Sequence, residues 1–337
     1  MKAKAWVIGI IFLSFASLKV EGSILKNVKE RKEIHCGVTQ GVPGFSSPDS
    51  KGNWSGLEVD ICRAVAAAVF GDKDKVKFIP LSGQARFTAL QSGEIDILSR
   101  VTTWSLTRDT ALGLNFVPTT FYDGQGFLVR KKDKVNKISD LAGATICTQQ
   151  GTTTELNLSD YFRANKIKMK SVVFESNDEV IQAFLKGRCD AFTNDTSGLV
   201  AERSKLRNPD DFLILKEVIS KEPLGPAVRH GDDQWFDIVK WSVFALIEAE
   251  ELGLTSKNID SKKDSTNPTI RRFLGTSEGN GKSLGLSEDW SYQIVKQVGN
   301  YGEVFDRNMG KESPLKLERG LNALWKDGGL LYSPPMR

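Results

Sequence analysis

The chain has 337 residues, of which 40% are hydrophobic and 26% are charged. This length exceeds the size at which one hydrophobic core usually keeps growing, so we expect two domains. The 46 basic and 42 acidic residues nearly cancel, which excludes a disordered polyelectrolyte and gives no reason to expect nucleic acid as a partner. Two histidines and four cysteines are too few for a His-rich metal site or a spaced zinc array. We therefore expect no metal and no cofactor, and an ordinary hydrolase is disfavoured.

The first 22 residues form a segment of a different kind. Lys2 and Lys4 give a basic start, residues 6–15 form an apolar run, and the stretch that ends at Gly22 is small and increasingly polar. This order is typical of a secretory signal peptide cleaved after Gly22. A membrane anchor is the alternative, but the run is shorter than the ~18–20 apolar residues that span a bilayer. We therefore expect an exported protein, in which cysteines can be oxidised.

The four cysteines fall into two pairs along the chain. Cys36 and Cys62 lie in the first half, and Cys147 and Cys189 lie further on, in the part expected to form a second lobe. We expect one disulfide in each lobe, although four cysteines allow three pairings. Four free buried thiols are the alternative, because free cysteine packs like a small hydrophobe.

Strands and helices alternate in the first half of the mature chain. Predicted strands cover residues 34–39, 76–80 and 95–98. A predicted amphipathic helix at 57–70 ends at Gly71, and a shorter helix runs from Ser82 to Gly93. This order favours an α/β fold with parallel strands and right-handed crossovers.

The same order recurs in the second half. Predicted strands cover residues 145–149, 172–174 and 191–193. One helix is predicted at 153–162, and a capping box of Ser176 and Glu179 begins another that ends at Gly187. The segments ALQSGEID (89–96) and AFLKGRCD (183–190) carry alanine, glycine and aspartate at the same offsets. Two similar half-molecules are indicated, with chance as the alternative, since helix, glycine and strand often follow one another.

Polar side chains follow the predicted strands of both halves. Thr103 and Arg108 come after the strand at 95–98, Asp195 follows the strand at 191–193, and Thr153 begins a helix. Ligands of open α/β sheets bind beyond the carboxyl ends of strands. A guanidinium and helix-start amides can hold a carboxylate, and an aspartate can accept from an ammonium, so together these groups suit a small zwitterion.

Each of these residues also has a purely structural interpretation. Arg108 could form a surface pair with Asp109, and Asp195 could cap the helix that begins near Ser197. Thr152 or Thr153 could be only a helix cap. Taken singly, each structural interpretation is favoured. Taken together, three complementary groups at the strand ends of two similar lobes favour a ligand site.

Several motifs, spread over nearly the whole mature chain, resemble one known family. They are GVTQGVPGF (37–45), GLEVDIC (56–62), ALQSGEID (89–96), TWSLTR (103–108), QGTT (150–153), GRCD (187–190), ISKEPLGPAVR (219–229), VGNYGEVF (298–305) and RGLNALW (319–325). The chain resembles the periplasmic amino-acid-binding proteins of ABC transporters, which are the family 3 extracellular solute-binding proteins. The nearest match is the general L-amino-acid-binding subgroup.

The resemblance implies a role for six residues of the site. Arg108 and Thr103 would hold the α-carboxylate of the ligand, with help from the backbone at Val101 and the helix start at Thr153. Asp195 would take the α-ammonium. A further arginine matches one that relatives specific for aspartate and glutamate direct at the ligand side chain; this residue is Arg86.

Three points of the site stay open at this level. Arg86 could equally be a solvated residue on a short helix. Arg100 stands where many relatives carry serine or glycine, and Val101 stands where the closest subgroup has a polar residue. The shape of the side-chain pocket is therefore undetermined. Phe45 and Trp104 could line the cleft or pack in the core or hinge.

The resemblance also implies the domain organisation. The expected fold is an α/β, two-lobed, type II periplasmic-binding-protein fold, with a two-strand hinge and a long C-terminal helical supplement. After a signal peptide at 1–22, the first lobe would comprise 23–121 and the second would be inserted at 122–230. Residues 231–337 would return to lobe one as helices, with contact to lobe two left open.

The expected function is capture of L-amino acids in the periplasm by hinge closure, with a broad range that leans to Glu, Asp, Gln and Asn. The implied partners are an inner-membrane permease and its cytoplasmic ATPase, and we expect a monomer. One alternative is a periplasmic enzyme of the same fold, similar to dehydratases, which would need a free general acid or base. Another is the sensing domain of a receptor, which would need a tether.

Overall fold

The computed structural model describes residues 23–277 and 280–337, so the signal peptide predicted at 1–22 lies outside the described residues. Across these two ranges, no helix is both long and apolar enough to cross a bilayer. The first part of the chain forms ten elements of lobe one. These are α1 (Ile24–Arg31), β1 (Ile34–Val38), β2 (Ser47–Pro48), β3 (Trp54–Ser55), α2 (Leu57–Phe70), β4 (Val76–Pro80), α3 (Ala85–Ser92), β5 (Ile97–Leu98), α4 (Leu106–Thr110) and β6 (Leu114–Phe116).

The chain then crosses to lobe two through one hinge strand and leaves it through another. The crossing strands and the elements between them are β7 (Phe121–Asp123), β8 (Gln125–Arg130), β9 (Thr145–Gln149), α5 (Thr153–Ala164), β10 (Lys170–Phe174), α6 (Asn177–Leu185), β11 (Ala191–Asp195), α7 (Thr196–Ser204), β12 (Phe212–Ile214) and β13 (Glu222–Leu224). β7 and β13 pair in antiparallel fashion and form the hinge.

The remainder of the chain returns to lobe one. Its elements are β14 (Ala227–Arg229), α8 (Asp233–Glu251), α9 (Pro268–Phe273), α10 (Gly281–Leu284), α11 (Trp290–Val298) and α12 (Tyr301–Asn308). Short 3-10 turns at Gly320–Asn322 and Trp325–Asp327 follow. α8, α11 and α12 pack on α2, which is buried along almost its entire length, so the supplement covers lobe one.

Each lobe is built on a five-stranded sheet of the same design. The strand orders are β4-β1-β5-β14-β6 in lobe one and β10-β9-β11-β8-β12 in lobe two. The first three strands of each sheet are parallel, and the fourth is antiparallel to both its neighbours. In both lobes this fourth strand directly follows a hinge strand. The expected two-lobed α/β fold is confirmed, with sheets that are mixed where the chain enters from the other lobe.

The two segments with matching sequence offsets occupy equivalent places. Gly93 and Gly187 both adopt a left-handed backbone, with φ of 80° and 76°, just after α3 and α6. The Asp96 carboxylate accepts a 2.7 Å hydrogen bond from the backbone N–H of His35, and Asp190 accepts one of the same length from Thr145. Each aspartate therefore ties the turn after a helix to the start of the second strand in the order of its sheet, which is β1 in lobe one and β9 in lobe two.

The hinge lies earlier than the sequence-based boundary. Ala227–Arg229 pairs with β5 and β6 and is already part of the first sheet. The prediction that lobe two extends to residue 230 is therefore wrong at its end, because the chain has left lobe two at β13. The start predicted at 122 falls within β7.

Each lobe contains one disulfide. Cys36 on β1 is bonded to Cys62 on α2, and Cys147 on β9 is bonded to Cys189 just before β11. All four cysteines are buried, so each bond joins a central strand of a sheet to chain packed beside it.

The C-terminal supplement also contacts the hinge. The side-chain amide of Asn322 accepts a 2.7 Å hydrogen bond from the N–H of Tyr122 and donates one of 3.1 Å to its carbonyl. It thus satisfies both backbone groups of a residue on β7, as a neighbouring strand would. Tyr301 adds a 2.6 Å hydrogen bond from its hydroxyl to the carbonyl of Thr120.

We expect Asn322→Ala to lower the free energy of unfolding by about 1–3 kcal/mol, because two partly buried backbone groups of Tyr122 lose their partners. Urea unfolding measures this change. Asn208→Ala is the matched control, since Asn208 is exposed and its side chain makes no cap hydrogen bond. An Asn322 variant within about 0.5 kcal/mol of wild type would contradict the assignment.

Candidate ligand-binding site

The two lobes enclose a cavity of about 40 Å3 at the carboxyl ends of their parallel strands. All six residues expected to bind the ligand line it: Arg86, Val101, Thr103 and Arg108 from lobe one, and Thr153 and Asp195 from lobe two. Phe45 also lines the cavity. Trp104 does not, because its ring stacks on Phe116 at 5.9 Å in a surface groove of lobe one.

Arg108 is held in place on α4 by its own chain. Its Nη1 donates a 2.8 Å hydrogen bond to the carbonyl of Thr103, and its guanidinium lies 5.2 Å from the ring centre of Phe87. Burial lowers the pKa of Arg108, while the carboxylates of Glu222 and Asp195 oppose the shift. The side chain is 7% exposed, which excludes a surface pair with Asp109.

Arg86 lies deeper and spans the two lobes. It is 2% exposed, so the alternative of a solvated residue is excluded. Its guanidinium donates to the carbonyl of Val101 in lobe one and to that of Gly151 in lobe two, each at 3.4 Å. Burial lowers its pKa well below the ordinary value, with repulsion from Arg100 and Arg108 as further causes.

Asp195 stands at the end of β11, at the N-cap position of α7, yet its side chain makes no cap hydrogen bond. The purely structural role as a helix cap is therefore excluded. Burial raises the pKa of Asp195 well above its usual value, and the carboxylates of Asp123 and Glu222 add to this, while Arg108 and Arg86 oppose it. A cation placed beside Asp195 would favour its ionised form.

A carboxylate on the hinge connects the two walls of the cavity. Glu222 accepts hydrogen bonds from the hydroxyls of Thr103, at 2.5 Å, and Thr153, at 3.0 Å. It also accepts from Asn157 at 2.7 Å and from Ser220 at 2.5 Å. The hydroxyl oxygens of Thr103 and Thr153 are 3.2 Å apart, so the two lobes meet directly beside this carboxylate.

The backbone at Val101 is in an unusual conformation. Its φ is 39°, a left-handed value that is a steric outlier for a β-branched residue. Its N–H donates to the buried carboxylate of Glu58, and its carbonyl accepts from Arg86. These two contacts hold the strained residue in place and engage both its N–H and its carbonyl.

We expect Val101→Asn to raise the free energy of unfolding by about 1 kcal/mol, because asparagine adopts left-handed conformations more readily than valine. Thermal or urea unfolding of the ligand-free protein measures the gain. Val101→Ala is the matched control, since alanine keeps the strain and loses apolar contacts. If the free energy of unfolding of Val101→Asn does not exceed that of Val101→Ala, the conclusion that the backbone at Val101 is strained is wrong.

Glu58 and Arg100 were not among the residues expected to bind ligand, yet both lie at the base of this loop. Arg100 donates a 2.9 Å hydrogen bond from Nε to the carbonyl of Leu81. Burial lowers the pKa of Arg100 to about 10, against the attraction of Glu58. Burial raises the pKa of Glu58 to about 7, although the N–H of Val101 and Arg100 favour its charged form.

Glu58 gives a pH-dependent contribution to stability. Its pKa rises from 4.5 to about 7 on folding, so the folded state keeps a proton that the unfolded chain releases in this window. The contribution is therefore present below pH 4.5 and is lost as the pH rises through 7. We expect the unfolding free energy of wild type relative to Glu58→Gln to fall by about 3 kcal/mol over this range.

Urea unfolding of both proteins at several pH values measures the difference between their unfolding free energies. The other titrating groups are the same in both proteins, so their effects cancel in this difference. Glu30→Gln serves as a control, because Glu30 is exposed. A difference between wild type and Glu58→Gln that does not change with pH would contradict the shift.

A two-lobed chain with a guanidinium and a carboxylate facing one interlobe cavity has the design of a solute-binding protein for small zwitterions. Comparisons with known proteins agree. The family model described as bacterial extracellular solute-binding proteins, family 3, matches residues 34–259. The chain belongs to this family, which confirms the resemblance to periplasmic amino-acid-binding proteins of ABC transporters.

Individual relatives match over nearly the whole chain. The general L-amino acid-binding periplasmic protein AapJ of Rhizobium johnstonii is 56% identical, over 98% of this chain and 97% of the relative. The glutamate/glutamine/aspartate/asparagine-binding protein BztA of Rhodobacter capsulatus is 48% identical, over 100% of both chains. A periplasmic binding protein of an ABC transporter from Brucella ovis, solved with glutathione bound, is 54% identical with a TM-score of 0.92, over 94% of this chain and 99% of that one.

Proposed function

We propose that this chain captures L-amino acids in the periplasm by closing its two lobes around them, and delivers them to an ABC transporter. One observation carries the proposal: a guanidinium, Arg108, and a carboxyl group, Asp195, are both buried and line one cavity from different lobes. An α-amino acid has a carboxylate and an ammonium on one carbon. Arg108 with Thr103 would take the carboxylate, and Asp195 would take the ammonium.

Hinge closure gives this arrangement its mechanism. The described conformation is closed, with Arg86 bonded to Gly151 and Thr103 beside Thr153 across the cleft. A cavity of about 40 Å3 holds only a few water molecules, so a ligand must enter while the lobes are apart. A bound zwitterion then bridges the lobes and favours the closed state, to which it makes contacts that the open state lacks.

The range of ligands follows from Arg86 and from the relatives. Arg86 offers a buried guanidinium beside the α-amino-acid position, which favours a side chain ending in a carboxylate or amide. The names of AapJ and BztA point in the same direction. We propose a broad range that leans to Glu, Asp, Gln and Asn, and the Brucella ovis structure adds glutathione to the compounds worth testing.

The partners implied are an inner-membrane permease and its cytoplasmic ATPase, with the chain acting as a monomer. An enzyme of the same fold is the alternative. The carboxyl group that lines the cavity, Asp195, is needed here for an ammonium, which leaves it unavailable to transfer a proton. Recovery of the bound ligand unchanged after long incubation separates the two, because an enzyme would release a product.

We expect Arg108→Ala and Asp195→Ala each to weaken amino-acid binding by a factor of tens to thousands. Removal of one partner from a desolvated charge pair costs roughly 2–5 kcal/mol. Isothermal titration calorimetry with glutamate measures this. Arg207→Ala and Asp210→Ala are matched controls, since both residues are exposed in lobe two. Wild-type affinity in both site variants would rule out this site.

A thermal-shift panel of the common amino acids defines the range. A ligand at 100 times its dissociation constant stabilises the folded state by about 2.7 kcal/mol, which is easily detected. A panel in which only sugars shift the transition would overturn the proposal.

A further inference from the structure

Arg100 is a third buried guanidinium that the contacts proposed for a single amino acid leave unused. It is 6% exposed, and its one side-chain hydrogen bond to the described residues is from Nε to the carbonyl of Leu81. The two terminal nitrogens of the guanidinium are free to donate elsewhere. Arg100 lines the inner cavity and also a second one of about 180 Å3.

The second cavity, named the outer cavity here, continues the cleft outward between the lobes. It shares five residues with the inner cavity, which are Thr39, Val42, Arg100, Gln149 and Asn177. Its remaining walls are residues 40–41 of lobe one and, at the start of α6 in lobe two, Ser176 and the solvent-exposed carboxylate of Asp178, which lies 3.9 Å from Lys205. Its volume is several times the ~30 Å3 that one water molecule occupies in the liquid. The side-chain oxygen of Asn177 is buried there without a hydrogen-bond partner among the described residues.

The charges of the cleft favour a second anion at Arg100. Arg86, Arg100 and Arg108 line the same cavity, and their mutual repulsion lowers the pKa of Arg86 and of Arg100. Glu58 is the one carboxylate that attracts Arg100, and its own burial disfavours its charged form. An anion in the outer cavity would offset this repulsion and engage the unused donors.

The proposed contacts of Arg108 and Asp195 with the α-carboxylate and α-ammonium limit which ligands can extend into both cavities. Arg108 and Asp195 need a free carboxylate and a free ammonium on the same carbon, and an ordinary peptide separates these groups onto different residues. A peptide linked through the side-chain carboxyl of glutamate or aspartate keeps both free. It also carries a second carboxylate at its far end.

We propose that Arg100 and the outer cavity form a second carboxylate subsite, which admits short peptides linked through the γ-carboxyl of glutamate. The α-amino-acid end binds at Arg108 and Asp195, and the distal carboxylate binds at Arg100, with the amide of Asn177 positioned to accept from the linking backbone. This subsite rests on the proposed amino-acid function and extends it beyond single residues.

Three ligands test the subsite by calorimetry: glutamate, γ-glutamylglycine, and γ-glutamylglycinamide, which lacks the distal charge. We expect wild type to bind the dipeptide at least about tenfold more tightly than its amide. In Arg100→Gln the ratio of the two dissociation constants falls to about one, whatever the change in either constant alone. Arg207→Gln, the exposed matched control, keeps the wild-type ratio.

Equal binding of the acid and the amide by wild type would overturn the subsite, and this comparison needs no variant to fold. Retention of the ratio in Arg100→Gln would overturn the role of Arg100. Glutamate has no distal residue, so its failure to bind would refute the proposed function, whereas its binding with no preference between the two dipeptides would refute the subsite alone.

Discussion

The structure depends most on a single carboxylate at the hinge, that of Glu222. It lies on the strand that leaves lobe two, is 1% exposed, and accepts from hydroxyl and amide groups of both lobes. A buried carboxylate is stable only when such donors surround it, so the closed geometry and the satisfaction of this charge require each other. Thr103 and Thr153 take part in both the hinge contact and the ligand cavity. Closure and the proposed ligand capture therefore involve the same two residues.

The buried ionisable groups of the cleft lower the stability of the ligand-free protein. Burial disfavours the charged forms of Arg86, Arg100 and Glu58. The charged form of Asp195 is disfavoured by burial and also by the neighbouring carboxylates. A well-packed apolar cleft would be more stable, as is common when buried charges are replaced by hydrophobic groups. In the proposed function a ligand supplies the missing opposite charges, so that its binding offsets the cost of burying these groups. The strain at Val101 likewise lowers the stability of a loop that lines the cavity.

The elements predicted from the sequence lie within a few residues of their observed bounds, because their signals are local. The Ser176–Glu179 capping box begins α6, and Gly71 ends α2 in a left-handed conformation, as the chain chemistry requires. The cavity-lining residues at strand ends could also be predicted, because the carboxyl ends of parallel strands lie at one edge of a sheet. Glu222 and Glu58 could not be found this way. Their roles depend on contacts with residues 119 and 43 positions away, which no periodicity encodes. The end of lobe two was misplaced because β14 belongs to lobe one only through its pairing with β5 and β6, more than a hundred residues earlier in the chain, and no local pattern encodes that pairing.

The inserted position of lobe two sets an order of folding. All strands of its sheet lie between the two hinge strands, so it can form from one continuous stretch of chain. Lobe one cannot, because β14 stands between β5 and β6 in its sheet and comes more than a hundred residues after them. The sheet of lobe one therefore cannot be completed until β14, which follows lobe two in the chain, is available to pair with β5 and β6. Such delayed, long-range pairing slows folding. A chain that is exported must cross the membrane before it folds. Late completion of its larger core keeps the chain unfolded, and therefore able to be translocated, for longer.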